Sequence, residues 1–177
     1  MSVLDREALL ARAAHTRLAA FDVDGVLTDG RIILGPAGDE YKAFDVRDGA
    51  GLVALRQRGV TLAIITGRRS AVVERRMREL GIERVFQGVD DKRACLAALL
   101  DELGLAAAAA CYVGDDLPDI GALELAGLGV AVADACAEAR AAADWVTLAR
   151  GGRGAVREIC DVIRTARAPA GGGGGAA

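Results

Sequence analysis

Apolar residues fall into short blocks separated by charged, glycine-containing turns. The blocks at 18–21, 60–65, 85–86, 110–113, 128–132 and 145–148 are too short for stable helices, and those at 18–21, 60–65 and 110–113 are closed by Asp, Thr and Gly, the pattern of buried strands. Helical spacing occupies the intervals between them. Residues 2–15 carry Leu4, Leu9, Leu10 and Ala13 among charges, and residues 70–80 carry Val72, Val73, Met77 and Leu80 before the stop signal Gly81. Helices are also predicted after Gly49 to about residue 58, and over 90–103, 117–126, 135–143 and 155–166. Two short segments, 31–34 and 40–44, flank the turn-rich stretch Gly35-Pro36-Ala37-Gly38-Asp39 and predict a hairpin. Strands alternating with helices imply an α/β fold: a single doubly wound domain with a mostly parallel central sheet, helices on both faces and a protruding β-hairpin.

Composition narrows this picture. With 177 residues, 53% of them hydrophobic, and a net charge of −3, the chain can bury one sizeable core and lacks a nucleic-acid-binding balance. Aromatics are only 3%, so stacking on bases is not expected and the core must be built from Val, Leu, Ile and Ala, with Trp145 among them. We expect one domain over 1–168 and a flexible glycine-rich tail over 169–177. Cys95, Cys111, Cys136 and Cys160 form no C-x-x-C pair and, with His15 alone, no zinc pattern. His15 reads as a surface residue at a helix end, and Arg75, Arg76 and Arg78 as a solvated face. No cationic stretch followed by an apolar core and cleavage site opens the given sequence, and no run of about 18 apolar residues occurs in it. A soluble, cytoplasmic protein without membrane or nucleic-acid partners is expected.

The first strand ends in the carboxylates Asp22 and Asp24. At the carboxyl edge of an α/β sheet, where ligands bind, two crowded anions call for a cation between them, and hard oxygen ligands favour magnesium. An EF-hand calcium loop is excluded because Val26 stands where a third oxygen ligand is needed. A solvated turn remains the alternative for the pair taken alone. Three further sites fall at strand or helix ends: Thr66, Lys92, and Asp115 with Asp116 and Asp119. Together they suit phosphoryl transfer, in which a carboxylate attacks phosphorus while metal, hydroxyl, backbone N–H and ammonium groups neutralise the phosphoryl oxygens. Basic residues number 20 Arg against 2 Lys, which draws attention to Lys42 and Lys92. A lysine opening a helix hints at a specific partner, because cations are disfavoured there.

D-x-D-G, Thr after an apolar strand, Lys, then G-D-D-x-x-D resembles the haloacid-dehalogenase-like hydrolases. More narrowly, DVDGVLTDG, FDVRDGAGL, ITGR, GVDDK, GDDLPDIGAL and GGRGAVREICDVI, over roughly residues 16–166, resemble the 3-deoxy-D-manno-octulosonate 8-phosphate phosphatases. The resemblance implies that Asp22 is the nucleophile and Asp24 the general acid and then base. It implies that Asp22, the Asp24 carbonyl and Asp115 hold magnesium, and that Thr66 and Lys92 engage the phosphoryl group. Asp116 and Asp119 would support these ligands, or cap the next helix. Substrate contact would come from Asp24, Asp45, Val46, Arg47, Asp48, Gly49, Arg68, Arg76 and Lys92, since guanidinium groups suit a sugar-acid carboxylate.

Two positions depart from that group: Val53 stands in place of a basic residue and Cys136 in place of His. A nonulosonate 9-phosphate is therefore a competing substrate, and a non-catalytic oligomerisation module related to those of sugar-acid nucleotidyltransferases is the reading from another class. The intervals from Asp24 to Thr66 and from Lys92 to Asp115 are too short for a cap domain. Walls for the site would then come from a neighbouring copy, and the resemblance implies a homotetramer assembled through the 31–44 hairpin.

Overall fold

The computed structural model describes residues 5–167, so the tail over 169–177 lies outside the described residues. A six-stranded parallel sheet is ordered β5-β4-β1-β6-β7-β8. Its strands are β1 (Leu18–Phe21), β4 (Thr61–Thr66), β5 (Arg84–Gln87), β6 (Ala110–Gly114), β7 (Leu128–Ala131) and β8 (Trp145–Val146). Strands β2 (Ile33–Leu34) and β3 (Glu40–Tyr41) form a separate antiparallel hairpin in which Ile33 faces Tyr41 and Leu34 faces Glu40. The hairpin strands are shorter than the segments 31–34 and 40–44 suggested.

All four residues of β1 are buried, because the strand is paired on both sides, with β4 and with β6. The chain winds outward from β1 to β4 and β5, then returns to β6 on the opposite side and continues to β8. This reversal makes the carboxyl ends of β1 and β6 the switch point of the sheet, where the crevice of an open α/β fold lies. Helix α7 (Ala155–Ala166) packs on α1 (Arg6–Ala14) and α2 (Val46–Arg56). The other packed set is α5 (Ile120–Leu125) with α4 (Lys92–Leu103) and α6 (Ala137–Ala142), while α3 (Ala71–Leu80) contacts α2. The insert between β1 and β4 is the hairpin and α2, and among the described residues no cap domain stands over the sheet.

Capping explains where the helices begin. Asp5, Asp45, Ser70 and Asp91 each accept a hydrogen bond from the first turn of α1, α2, α3 and α4. Helix α2 starts earlier than expected: Asp45 receives the Arg47 N–H at 2.7 Å, and residues 46–49, ahead of the expected helix, become its first turn. Gly49 and Gly51 lie inside that helix, against their usual propensity, because α7 and α3 come close. A Cβ at Gly51 would lie 3.0 Å from the Arg157 Cδ, and one at Gly49 2.5 Å from an Arg76 Nη2. The helix expected over 117–126 divides into a 3₁₀ turn, residues 117–119, and α5, with Pro118 in the turn. Trp145 is buried as expected, and His15 is exposed at the end of α1.

Candidate active site

Asp22 directly follows β1, and its backbone N–H donates to the Val113 carbonyl of β6 at 3.0 Å, which brings the β1 and β6 ends together. Asp22, Asp24, Thr66, Arg68, Lys92 and Asp115 all line one cleft of about 420 Å³ at this sheet edge. A larger groove of about 860 Å³ runs beside β5, lined by Arg69, Glu74 and Phe86 among others. It lies away from the convergent carboxylates, so the smaller cleft is the chemical site.

The glycine of D-x-D-G has a steric reason. Gly25 has φ +95, and a Cβ there would lie 2.1 Å from Asp115 Oδ2. The loop is braced from behind by the segment after β8. Gly152 N–H donates to the Val26 carbonyl at 2.8 Å, and Gly151 lies so near that a Cβ would sit 1.6 Å from the Gly25 carbonyl oxygen. These contacts are why the GGRG stretch belongs with the carboxylate loop although it is distant in sequence.

Lys92 is the first residue of α4 and only 4% of its side chain is exposed. Its Nζ lies 3.0 Å from Asp22 Oδ2 and donates to Asp119 Oδ1 at 2.6 Å. Burial works against the ammonium, but the two carboxylates outweigh it and raise its pKa. The unfavourable location of a cation at a helix start is thus offset by two fixed anions.

Asp119 is fully buried and its oxygens are taken: Oδ1 also accepts from Tyr112 OH at 2.7 Å, and Oδ2 from the backbone N–H groups of Asp115 and Asp116 at 3.0 and 3.2 Å. Asp116 differs. It is exposed at the cleft rim, where it accepts from Leu117 N–H at 2.9 Å. Asp116 and Asp119 together form a capping box at the 3₁₀ turn, and Asp119 in addition grips Lys92. Tyr112 was missed by sequence reading; the only available signal was a hydroxyl-bearing aromatic in a strand otherwise made of small and branched residues.

The donor set fits a divalent cation. Oxygens of Asp22, Asp115 and Asp119 lie within 4.8 Å of one another. Asp22 Oδ1 and Asp115 Oδ1 are buried without a hydrogen-bond partner, whereas every oxygen of Asp119 is occupied. Fully ionised, the three carboxylates of Asp22, Asp115 and Asp119 would exceed the one ammonium of Lys92 by two negative charges. Burial first, then neighbouring carboxylates, push Asp22 up to about 6 against the pull of Lys92, and Asp115 up to about 7. Hard oxygen donors in this charge state match magnesium.

Asp24 is held on both oxygens. Lys42 Nζ donates to Oδ1, and Arg68 Nε lies 3.6 Å from Oδ2 while its Nη2 reaches Glu40 Oε1 at 3.2 Å. Lys42 was noted in the sequence for its rarity but not placed in a site.

The remaining expected substrate residues lie elsewhere in this single subunit. Val46 and Arg47 are exposed on the α2 start, Arg47 paired to Asp45 at 2.8 Å. Asp48 is buried, accepting from Gly154 and Arg157 N–H at 3.3 and 2.8 Å, so it caps α7. Arg76 lies over the Phe44 ring at 5.9 Å, beside Gly49 and outside the cleft lining. Val53 packs partly buried against the core, and Cys136 caps α6, its Sγ accepting from Ala139 N–H at 3.4 Å. Neither lines the cleft.

Residues 36–127 match the haloacid dehalogenase-like hydrolase family. The chain is 46% identical over 159 residues to the 3-deoxy-D-manno-octulosonate 8-phosphate phosphatase KdsC of Escherichia coli K12, covering 90% of this chain and 85% of that protein. The same-named phosphatase from Moraxella catarrhalis, solved with magnesium, phosphate and KDO, superposes with a TM-score of 0.89 at 50% identity, covering 90% of this chain and 91% of that one. A cobalt-bound Haemophilus influenzae deoxy-D-mannose-octulosonate 8-phosphate phosphatase gives a TM-score of 0.85 at 36% identity, covering 88% of this chain and 91% of that one. At 46% identity over 90% of its length, this chain belongs to the 3-deoxy-D-manno-octulosonate 8-phosphate phosphatase family of the haloacid dehalogenase-like hydrolases.

Proposed function

We propose that the protein is a magnesium-dependent phosphatase that hydrolyses 3-deoxy-D-manno-octulosonate 8-phosphate to the free sugar acid and phosphate, a step of lipopolysaccharide biosynthesis. The observation that carries this reading is the convergence of Asp22, Asp24, Lys92 and Asp115 on one cleft in a chain 46% identical to an octulosonate phosphatase over 90% of its length.

Asp22 is the nucleophile: an oxygen attacks phosphorus, the bond to the sugar oxygen breaks, and an aspartyl-phosphate forms. Asp24 gives the leaving oxygen its proton, then takes one from the water that attacks the aspartyl-phosphate and frees Asp22. Lys92 and the Thr66 hydroxyl face the phosphoryl oxygens, and Asp119 with Tyr112 keeps Lys92 aimed. Asp22, Asp115 and the Asp24 carbonyl would hold magnesium, which supplies charge neutralisation for the transferring group. Asp116 supports the loop from its rim position.

Residues 1–168 act as one catalytic domain in this reading. Arg68, half-exposed at the cleft mouth, suits the sugar-acid carboxylate. Arg76 on α3, and Val46, Arg47 and the other residues at the start of α2, reach substrate through assembly. Ile32, Ile33, Leu34 and Tyr41 are exposed on the hairpin, which supports a homotetramer built through residues 31–44. A cytoplasmic site of action belongs to the same reading; the cysteines Cys95, Cys111, Cys136 and Cys160 are free thiols, in keeping with a reducing compartment.

Comparing kcat/KM for octulosonate 8-phosphate, nonulosonate 9-phosphates and neutral sugar phosphates, with magnesium and with chelator, tests the proposal. Preference for the octulosonate is expected. Equal or better turnover of neutral sugars would overturn the substrate, and no magnesium-dependent phosphate release would overturn the activity.

A further inference from the structure

Lys42 follows β3 on the hairpin, a surface excursion whose apolar residues are exposed, yet its own side chain is 0% exposed. It turns inward onto carboxylates. The Nζ donates to Asp24 Oδ1 and lies 3.5 Å from Glu40 Oε1. An ammonium withdrawn from water is costly unless such partners hold it, so the position of Lys42 and that of the Asp24 side chain determine each other.

The other restraints on Asp24 are weaker. Arg68 is half-exposed and stands 3.6 Å from Oδ2, and the Thr28 hydroxyl is 3.5 Å from Oδ1. Proton transfer to a leaving oxygen requires a donor within about 3 Å in a definite direction, and a carboxylate free to turn spends little time there. Resting on the phosphatase reading above, we propose that Lys42 is a positioning residue: it fixes the Asp24 side chain in the orientation that passes a proton to the leaving sugar oxygen. The hairpin thereby contributes to the active site of its own subunit, separately from any contact it makes with other copies. In the step concerned, the Asp22 oxygen bonds to phosphorus as the phosphorus–sugar oxygen bond breaks, and the Asp24 proton moves to that oxygen. In the second step, water bonds to phosphorus, its proton returns to Asp24, and the Asp22–phosphorus bond breaks.

Lys42→Met and Lys42→Gln in the full chain with magnesium separate this from a purely structural anchor. With octulosonate 8-phosphate, kcat should fall about 10- to 100-fold while KM stays within about threefold. With p-nitrophenyl phosphate, whose leaving group needs no proton, stopped-flow should show a burst of about one nitrophenolate per site followed by slow turnover, because only the water step still needs Asp24. Unchanged kcat with the sugar acid, or equal slowing of the first step for both substrates without a burst, would overturn the proposal. So would a loss explained by smaller species in light scattering, or failure of both variants to fold, since either makes Lys42 an anchor of the hairpin. Wild-type protein that releases no phosphate from any sugar-acid phosphate would instead defeat the phosphatase reading.

Discussion

Gly25 and Asp115 approach so closely that a Cβ on Gly25 would lie 2.1 Å from Asp115 Oδ2, at a backbone φ of +95. Gly25→Ala therefore has to displace either the carboxylate loop or Asp115. Stability should fall by about 1–3 kcal/mol from the left-handed backbone and the clash. A shift of about 1 Å in Asp115 should lower kcat/KM on the order of 100-fold. Denaturant unfolding and steady-state kinetics check the two effects; near-normal kinetics would show that Asp115 can move without penalty.

Asp22→Asn should reduce phosphate release by about 10³-fold or more, because an amide cannot attack phosphorus and donates N–H groups toward the cation. Removing the carboxylate also leaves Lys92 with Asp119 alone. Mass spectrometry of quenched wild-type enzyme should detect a phosphorylated species that the variant lacks, and a phosphorylated variant would relocate the nucleophile.

Metal binding should depend on pH in a definite direction. Asp22 at about 6 and Asp115 at about 7 lie above the 3.8 of an ordinary aspartate, so without metal the fold favours their protonated forms. That contribution is present below about pH 4 and is lost as pH rises through about 6 to 7. Magnesium competes with these protons, so the rise in Tm that it causes should be small at about pH 5 and grow toward about pH 8. Thermal melts with magnesium and with chelator measure it, and Asp115→Asn should abolish most of the increment. Equal increments at both pH values would mean that magnesium binds elsewhere.

The hairpin carries Leu34 at 71% exposure and Ile33 at 52%. Replacing either with Asp places a charge in the expected intersubunit surface and should yield species smaller than a tetramer, with reduced kcat/KM. Light scattering at assay concentration, paired with activity, decides it. A wild-type monomer of full activity would count against assembly as a requirement for catalysis.

The sequence by itself determined the α/β alternation and the edge at which the carboxylates gather. Short apolar blocks ending in Asp, Thr or Gly are local signals, and a parallel sheet places all its strand carboxyl ends on one side. Asp22, Thr66 and Asp115 therefore share an edge wherever their strands fall in the order. Only the tertiary structure decided which side chains meet there. Asp116 and Asp119 have the same local chemistry, but Asp119 alone is turned inward, where Lys92 and Tyr112 wait. The resemblance assigns residues 45–49 to substrate contact; what only the fold supplies is that Asp45 caps α2 and that Asp48 accepts from N–H groups at the start of α7, more than a hundred residues later. Lys42 stands out in the sequence only for the rarity of lysine, and its burial on Asp24 is a contact between the hairpin and the loop after β1 that no local pattern encodes. Periodicity reports which face of an element avoids water; it carries no information on the partner across that face, and long-range electrostatic pairing supplied the partner here.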